Sequence, residues 1–305
     1  MDKKFSNPEL TLKGEKRASV SLTELKSLWF NTGTRCNLKC ENCYIESSPT
    51  NDRLSYITTS DVSIYLEEIK LHELPTEYIN FTGGEPFLNP QMIQILDLVL
   101  SQGFKTIVLT NAFNVINRHK DSLVELNKKY QENLKMRVSL DHYTLKVHEK
   151  ERGEKTFLKT LENIKWLSDN NFEVSIAGRS LIHESNQEAI NGYRGLFVDH
   201  DINLKITSDN LIIFPEMISQ EDVPEITTKC WDILNVSPKS MMCSTERMIV
   251  KRKNHQTPVV LPCTLLAYDE QFELGHSLVK SDKKVFLNHE YCAKFCVLGG
   301  ASCSS

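Results

Sequence analysis

The sequence predicts an α/β protein in which parallel strands alternate with crossover helices. From about residue 26, apolar runs rich in β-branched and aromatic residues are separated by longer segments of helical period. Parallel neighbours need a crossover connection, so this repeated order predicts a parallel sheet covered by helices. Six repeats over roughly 180 residues are fewer than the eight of a closed barrel.

Six segments are the predicted strands, and each is recognised by its β-branched and aromatic content. In chain order they are SLWFNT (27–32), EYINFTG (77–83), FKTIVLT (104–110), LKMRVSL (134–140), FEVSIAG (172–178) and INLKIT (202–207). Helices are predicted between them at 60–71, 90–102, 114–130, 155–170 and 185–199. Ser60 is the expected N-cap of the first helix, and the second follows Pro90, a residue that suits helix starts.

The strand and helix pattern ends after residue 207. Prolines are scattered through the segment that follows, and five of the nine cysteines lie after residue 240. We therefore expect an N-terminal arm (1–25), a core domain (26–207), a linker (208–240) and a small cysteine-rich C-terminal domain (241–305).

Composition argues against some classes of function. The net charge is −4 with both signs interspersed, so no basic stripe indicates a nucleic-acid partner. No apolar run is long enough to span a bilayer, and the charged N-terminus has no hydrophobic segment behind it. We therefore expect a cytoplasmic protein without a membrane partner. In a reducing compartment, nine cysteines indicate metal ligation or catalysis more than disulfides.

Three cysteines follow the first predicted strand. Cys36, Cys40 and Cys43 lie in TGTRCNLKCENCY, at the carboxyl end of that strand, where the functional groups of parallel α/β folds collect. A 4Fe–4S cube takes four ligands, so three thiolates would leave one iron open to the amino and carboxylate groups of a bound ligand. A zinc loop completed by a fourth nearby ligand is the alternative that the spacing leaves open.

A second motif follows the next predicted strand. NFTGGEP places Gly83, Gly84 and Glu85 on the same rim of the sheet. The glycines allow the backbone to approach a ligand closely, and the carboxylate can receive an ammonium group. Taken alone, GGEP is also compatible with a plain turn.

Together, CNLKCENCY and TGGEP resemble the radical S-adenosylmethionine (SAM) superfamily, and the likeness continues in SLDHYTLKVHEKERG (139–153). The resemblance covers about residues 28 to 207. It implies a partial (β/α)6 TIM-like barrel and a 4Fe–4S cluster that reduces SAM to methionine and a 5′-deoxyadenosyl radical, which abstracts a substrate hydrogen atom. It also implies an oxygen-sensitive enzyme with an electron donor such as flavodoxin or ferredoxin.

Ten positions match family motifs that hold the cluster or SAM. The cluster ligands are Cys36, Cys40 and Cys43, and the SAM contacts are Gly83, Gly84, Glu85, Ser139, Asp141, Arg179 and Tyr44. The resemblance places Ser139 and Asp141 at the SAM ribose and Arg179 at its carboxylate. Asn42 departs from the aromatic residue or histidine that usually precedes the third cysteine, and Tyr44 is expected to compensate in part.

Cysteines near the C-terminus lie in short, turn-rich segments, which hold few apolar residues and could gain stability from a metal centre. They are Cys243, Cys263, Cys292, Cys296 and Cys303. Their pattern resembles the auxiliary-cluster extensions of the superfamily, the SPASM domain and its shortened twitch form. That likeness makes Cys243, Cys263, Cys292 and Cys296 the expected ligands of a second 4Fe–4S cluster. Cys303 is expected either to replace one of these ligands or to protect the site. Structural zinc and unliganded thiols are the alternatives.

An auxiliary cluster would make the reaction an oxidation, since the substrate radical could pass its electron to it. A base must then take a proton, and His142 is the best candidate on intrinsic pKa. A small-molecule substrate is slightly favoured over a peptide, because the residues before the first strand are too few for a leader-binding domain. A peptide- or protein-modifying maturase and a non-catalytic zinc-binding interaction protein are the alternatives.

Overall fold

The computed structural model describes residues 3–180, 184–216 and 222–301. Ten strands lie within these residues: β1 (Ser19–Val20), β2 (Ser27–Asn31), β3 (Tyr78–Thr82), β4 (Thr106–Thr110), β5 (Leu134–Ser139), β6 (Glu173–Arg179), β7 (Leu211–Phe214), β8 (Glu246–Val250), β9 (Val259–Leu261) and β10 (Val285–Phe286). The same residues contain seven α-helices: α1 (Thr59–Leu71), α2 (Met92–Ser101), α3 (Lys120–Tyr130), α4 (Leu145–Arg152), α5 (Thr156–Asp169), α6 (Asn186–Asp199) and α7 (Cys230–Leu234). None of these helices is long and apolar enough to cross a membrane.

The main sheet carries eight of the described strands in the order β7-β6-β5-β4-β3-β2-β8-β9. Strands β2 to β7 are parallel to their neighbours, β8 is parallel to β2, and β9 is antiparallel to β8. Helices α1 to α6 connect successive strands from β2 to β7. Six parallel strands with crossover helices confirm the predicted α/β fold and correspond to the expected partial barrel.

The central strands are buried because helices cover them. Phe30 of β2 and Phe81 of β3 stack with their ring centroids 5.8 Å apart, and both are 0% exposed.

Helix α1 begins with a capping box, in which the Thr58 hydroxyl accepts from the Asp61 N–H and the Asp61 carboxylate accepts from the Thr58 N–H. The N-cap is therefore Thr58, which corrects the expectation of Ser60.

The sixth barrel strand is displaced from its predicted position. Residues 202–207 form an irregular connection, and the strand begins instead at Leu211, within the segment expected to be a linker. Asn210 fixes the turn between them, since its side chain accepts from the Thr207 N–H (2.8 Å) and donates to the Lys205 carbonyl (2.9 Å). Ile202 and Ile206 belong to the main hydrophobic core without forming a strand, so the prediction of a strand there was wrong.

The C-terminal residues extend the main sheet. Strand β8 pairs with β2, and the Trp29 indole donates a hydrogen bond to Glu246 across this junction (2.7 Å). The N-terminal arm also packs here, because β1 pairs with β10 and the buried Arg17 forms an ion pair with Glu225 (2.6 Å). The domain limits at 25, 207 and 240 stay predictions. Strands from both sides of 207 and 240 share the main sheet, whereas β1, before residue 25, pairs with β10 in a separate two-stranded sheet.

Candidate active site

A cleft opens at the carboxyl ends of β2 to β7, with about 960 Å³ of atom-free space that is continuous with solvent. Nine of the ten residues predicted to hold the cluster or SAM line it: Cys36, Cys40, Cys43, Tyr44, Gly83, Gly84, Ser139, Asp141 and Arg179. The tenth, Glu85, is turned away from it. The fold thus brings together residues from the ends of four strands, β2, β3, β5 and β6, as expected for the carboxyl edge of a parallel sheet.

The cysteine loop directs polar hydrogens at its sulfur atoms. The Leu38 N–H and the Asn111 amide donate to the Cys36 Sγ at 3.4 and 3.5 Å, and the Ser47 N–H donates to the Cys43 Sγ at 3.3 Å. Burial, reinforced by the charge of Glu85, raises the pKa of the Cys36 thiol to about 12. Metal binding at this loop must therefore release protons, while the N–H groups stabilise the resulting thiolates.

Within the described residues, no three Cys, His, Asp or Glu side chains converge closely enough to hold a single metal ion. The fit of the loop to an iron–sulfur cluster rests instead on its donor set. Three cysteines that form no disulfide face one cleft, and the Arg152 charge acts on Cys40 to lower a pKa that burial raises. Thiolates are the ligands that iron–sulfur clusters take, so these residues fit such a group.

The two glycines of GGEP are required by close packing against the cysteine loop. The Gly84 N–H donates to the Gly33 carbonyl (2.8 Å), and the Glu85 N–H donates to the Arg35 carbonyl (3.1 Å). A β-carbon at Gly83, where φ is +142°, would lie 2.6 Å from the Gly33 oxygen, and one at Gly84 would collide with the Arg35 carbonyl. Larger residues would therefore separate the two rims of the cleft.

The Glu85 carboxylate does not line the cleft, although it was expected to receive the ammonium group of a ligand there. It is 2% exposed and accepts hydrogen bonds from the Thr110 hydroxyl (2.8 Å), the Asn111 N–H (2.9 Å) and the Phe87 N–H (3.1 Å). Burial raises its pKa to about 7 in spite of these donors. The carboxylate thus ties the GGEP turn to the end of β4, and the glycine backbone, not this side chain, faces the cleft.

Two arginines hold Asp141 at the cleft. Arg152 donates to both carboxylate oxygens, and the Arg179 Nε lies 3.5 Å from Oδ1. Burial alone would raise the pKa of Asp141, but the two guanidinium groups outweigh it and hold the pKa below its ordinary value. Arg179 also donates to the Asn42 carbonyl (2.7 Å), while its buried Nη1 has no hydrogen-bond partner among the described residues. That group can bind an anionic part of a ligand.

Sequence reasoning missed Arg152. It lies in the segment 139–153 that carries the family resemblance, but α4 was not predicted, because LKVHEKER is highly charged and lacks a clear apolar stripe. Its buried His148 and Glu151 show that this charged helix nonetheless packs inward. The sequence signal that could have found Arg152 is its presence directly before Gly153, the residue that ends the helix.

Three aromatic side chains, Tyr44, Phe214 and Phe295, line part of the cleft. The Tyr44 hydroxyl donates to the Pro215 carbonyl (2.8 Å), and its ring lies 4.6 Å from the Arg179 guanidinium carbon. Phe214 and Phe295 meet the Tyr44 ring edge to face, at centroid distances of 6.4 and 5.9 Å. The Asn42 side chain is directed to Glu151 instead, so Tyr44 is the aromatic residue that this loop supplies to the cleft.

His142 is not among the residues that line the cleft. Its Nδ1 is 2.8 Å from the Thr144 hydroxyl, and its Nε2 is 3.5 Å from Glu184, which also accepts a hydrogen bond from the Tyr143 hydroxyl (2.5 Å). Burial lowers the pKa of His142 even though Glu184 favours its charged form. The structure does not bring this histidine to the other site residues, and its role as a base stays a prediction.

Four of the C-terminal cysteines line a second cleft: Cys243, Cys263, Cys292 and Cys296. The last two lie on one π-helical turn, Cys292–Leu298, and the other lining residues are apolar apart from the Tyr291 hydroxyl. Burial raises the pKa of Cys243 to about 11 and that of Cys263 to about 12. Leu265 lines both clefts, so the two cysteine groups share a lining residue. Cys303 lies outside the described residues.

Comparison with known proteins identifies the core. The family model of the radical SAM superfamily matches residues 30–192. The antilisterial bacteriocin subtilosin biosynthesis protein AlbA of Bacillus subtilis is 36% identical over 149 residues, which cover 48% of this chain and 32% of AlbA. GTP 3',8-cyclase of Synechocystis is 26% identical over 152 residues, which cover 50% of this chain and 44% of the cyclase. Streptococcus suis SuiB bound to precursor peptide SuiA has a TM-score of 0.60 at 15% identity, covering 92% of this chain and 67% of SuiB.

These matches cover different shares of the proteins compared. The aligned regions span less than half the length of AlbA and of the cyclase, and the likeness to SuiB establishes a common fold. The family model, in contrast, covers more than half of this chain, including the cysteine loop, the GGEP turn and the residues that hold Asp141. The chain belongs to the radical SAM superfamily.

Proposed function

We propose that this radical SAM enzyme oxidises a peptide substrate with the help of an auxiliary iron–sulfur centre. Membership of the superfamily implies a 4Fe–4S cluster and SAM; the auxiliary centre and the peptide are our proposals. The observation that carries the auxiliary centre is that two cysteine-lined clefts share the lining residue Leu265, and the peptide is supported by the similarity to AlbA. A substrate in the first cleft would lie between the loop of Cys36, Cys40 and Cys43 and the C-terminal cysteines.

The residues of the first cleft suit a cluster with SAM bound to it. When both are present, they supply a 5′-deoxyadenosyl radical. Cys36, Cys40 and Cys43 would hold the cluster, and the unpartnered Nη1 of Arg179 would bind the carboxylate of SAM. Asp141, kept ionised by its arginine partners, would accept hydrogen bonds from ribose hydroxyls.

The C-terminal cysteines suit an auxiliary centre that accepts an electron. Cys243, Cys263, Cys292 and Cys296 line one cleft whose other walls are mainly apolar. Such a donor set suits both zinc and a 4Fe–4S cluster. We favour the cluster, because a second thiolate-held cluster beside the radical site would make oxidation of the substrate possible.

The similarity to AlbA favours a peptide substrate. AlbA is named for the biosynthesis of a bacteriocin, and it is 36% identical to this chain over 149 residues. The sequence alone slightly favoured a small molecule. That remains the second candidate, because the match to a GTP 3',8-cyclase supports a nucleotide-sized substrate for the same cleft.

Iron content and SAM cleavage test the enzyme class. Anaerobically prepared protein should be brown and contain about eight irons per chain, four for each cube. Cys40→Ala should abolish formation of 5′-deoxyadenosine. Cys263→Ala should leave that cleavage in part but lose turnover to product. Cys230→Ala is the matched control, because Cys230 lies outside both clefts. Colourless, zinc-containing protein would reject the proposal in favour of a non-catalytic zinc-binding interaction protein.

The substrate class is tested separately. Wild-type protein is incubated with SAM and dithionite, and mass spectrometry follows loss of two hydrogens or formation of a cross-link in candidate precursor peptides. A nucleoside triphosphate series is run in parallel. Turnover of a nucleotide with no change in any peptide would reject the peptide substrate in favour of a small, nucleotide-sized one.

A further inference from the structure

A buried arginine lies beside the C-terminal cysteines. Arg247 of β8 is 0% exposed, and its guanidinium group donates to three backbone carbonyls. These belong to Cys243 (2.8 Å), Glu246 (2.7 Å) and Ser281 (3.1 Å). No carboxylate forms an ion pair with it in the part of the chain that the structure describes. The carbonyls orient the guanidinium, but they do not neutralise its charge.

A buried charge without a counter-charge is costly. Removing an ion from water carries a large free-energy penalty, which dipoles alone offset only in part. Most buried arginines are paired for this reason, as Arg17 is with Glu225 at 2.6 Å. An anion is therefore expected near Arg247.

The neighbours of Arg247 identify that anion. The Arg247 guanidinium donates to the Cys243 carbonyl at 2.8 Å, and Cys243 lines the second cleft together with Cys263, Cys292 and Cys296. Cysteine ligands lose their protons when they bind a metal centre, so a centre held by these residues would place negative charge beside Arg247. Asp282 also acts on Arg247, but it is exposed to solvent.

We infer that Arg247 is the counter-charge of the auxiliary centre and raises its reduction potential. The inference rests on the auxiliary centre proposed above and adds a tuning residue to it. One-electron reduction adds one unit of negative charge to a centre that is already anionic through its thiolates. A fixed positive charge in a buried setting stabilises the reduced form more than the oxidised form, so the potential rises.

Arg247 also connects β8 to the segment at Ser281, and this is the structural role to be distinguished. A purely structural role would change stability and metal content, but it would not shift the potential of a centre that still assembles. The potential is therefore the decisive measurement.

The experiment uses the full chain with Cys36, Cys40 and Cys43 replaced by alanine, so that only the auxiliary centre remains. The potential is measured by anaerobic titration with dithionite, followed by EPR. Arg247→Gln keeps donors for the carbonyls but removes the charge, and it should lower the potential by at least a tenfold change in the reduction equilibrium constant, about 59 mV for one electron. Arg247→Lys keeps the charge and should shift the constant less than about threefold.

A second variant covers the case in which Arg247→Gln does not fold. Asp282→Lys exchanges an exposed acid that acts on Arg247, and leaves every hydrogen bond of the guanidinium group in place. At low ionic strength it should raise the potential, because the field at the centre becomes more positive. An unchanged potential in Arg247→Gln, or in Asp282→Lys where Arg247→Gln is lost, would overturn the inference. A chain with no second centre in the unaltered protein would overturn the auxiliary centre as well.

Discussion

Arg152 donates two hydrogen bonds to Asp141, at 2.9 and 2.8 Å, and so joins helix α4 to the end of strand β5. The pair lies in the cleft, where the Arg152 and Asp141 side chains are 11% and 4% exposed. Paired Arg and carboxylate groups of this geometry fix both position and charge. The family motif at Asp141 therefore depends on a partner eleven positions along the chain.

Replacing Arg152 should destabilise the folded protein, because the buried carboxylate of Asp141 loses one of its two guanidinium partners. Arg152→Gln should lower the free energy of unfolding by about 3 kcal/mol, while Arg152→Lys should recover part of the loss. The KM for SAM should rise with little change in cluster content. Urea unfolding of the reduced, iron-free protein and SAM titrations measure the two effects. Lys159→Gln, which breaks an exposed ion pair with Glu162, is the control and should change stability by less than about 0.5 kcal/mol.

Glu85 should make stability fall as pH rises. Its pKa is raised by burial from 4.5 to about 7, so the folded state holds this proton more tightly than the unfolded state. The contribution is full below pH 4.5 and is lost as pH rises through 7, a change of about 3 kcal/mol. Glu85→Gln should remove this slope, as seen in denaturant unfolding between these pH values. The same slope in the variant would show that Glu85 is ionised in the folded protein throughout.

Local sequence patterns were sufficient for much of the fold. Strands β2 to β6 were predicted because each is an apolar run of β-branched and aromatic residues, and these strands carry the loops of the cleft. Strand β7 was misplaced because INLKIT and LIIF have similar local preferences. Pairing with β6 decides between them, because only residues 211–214 form the ladder beside it, and such pairing is a tertiary contact.

The candidate site, like the fold, was predicted from the sequence only in part. The cysteine and glycine motifs, together with the family resemblance they carry, predicted the residues that the loops bring to the cleft. The directions of Glu85 and His142 were not predictable, since each is set by partners distant in sequence, Thr110 in one case and Glu184 in the other. Arg247 looks like an ordinary charge in a strand until its burial beside Cys243 is known.

Gly84 should not tolerate a side chain. Gly84→Ala would press a β-carbon into the Arg35 carbonyl, which is backbone and cannot move aside cheaply. We expect destabilisation of about 1–3 kcal/mol and loss of SAM binding, because the cysteine loop is pushed away from the GGEP turn. Gly195→Ala is the matched control. This glycine lies in α6 with no atom near its would-be β-carbon, so alanine should be neutral or stabilising by up to about 1 kcal/mol. Equal SAM affinity in the two variants would contradict the packing argument.

Tyr268 should hold the cysteine loop closed from the C-terminal side. Its hydroxyl donates to the Ile45 carbonyl (2.5 Å), two residues after Cys43, and accepts from the Asn51 amide (3.1 Å). Tyr268→Phe leaves the carbonyl and the amide without this partner, at a cost of about 1–3 kcal/mol, and the loop should then open more often. The first cluster should be lost faster to a chelator, measured as the decay of its visible absorbance. Tyr130→Phe removes a hydroxyl that binds Asp97 instead, far from either cleft, and should leave this decay unchanged. Equal decay rates in the two variants would show that the C-terminal residues do not stabilise the loop.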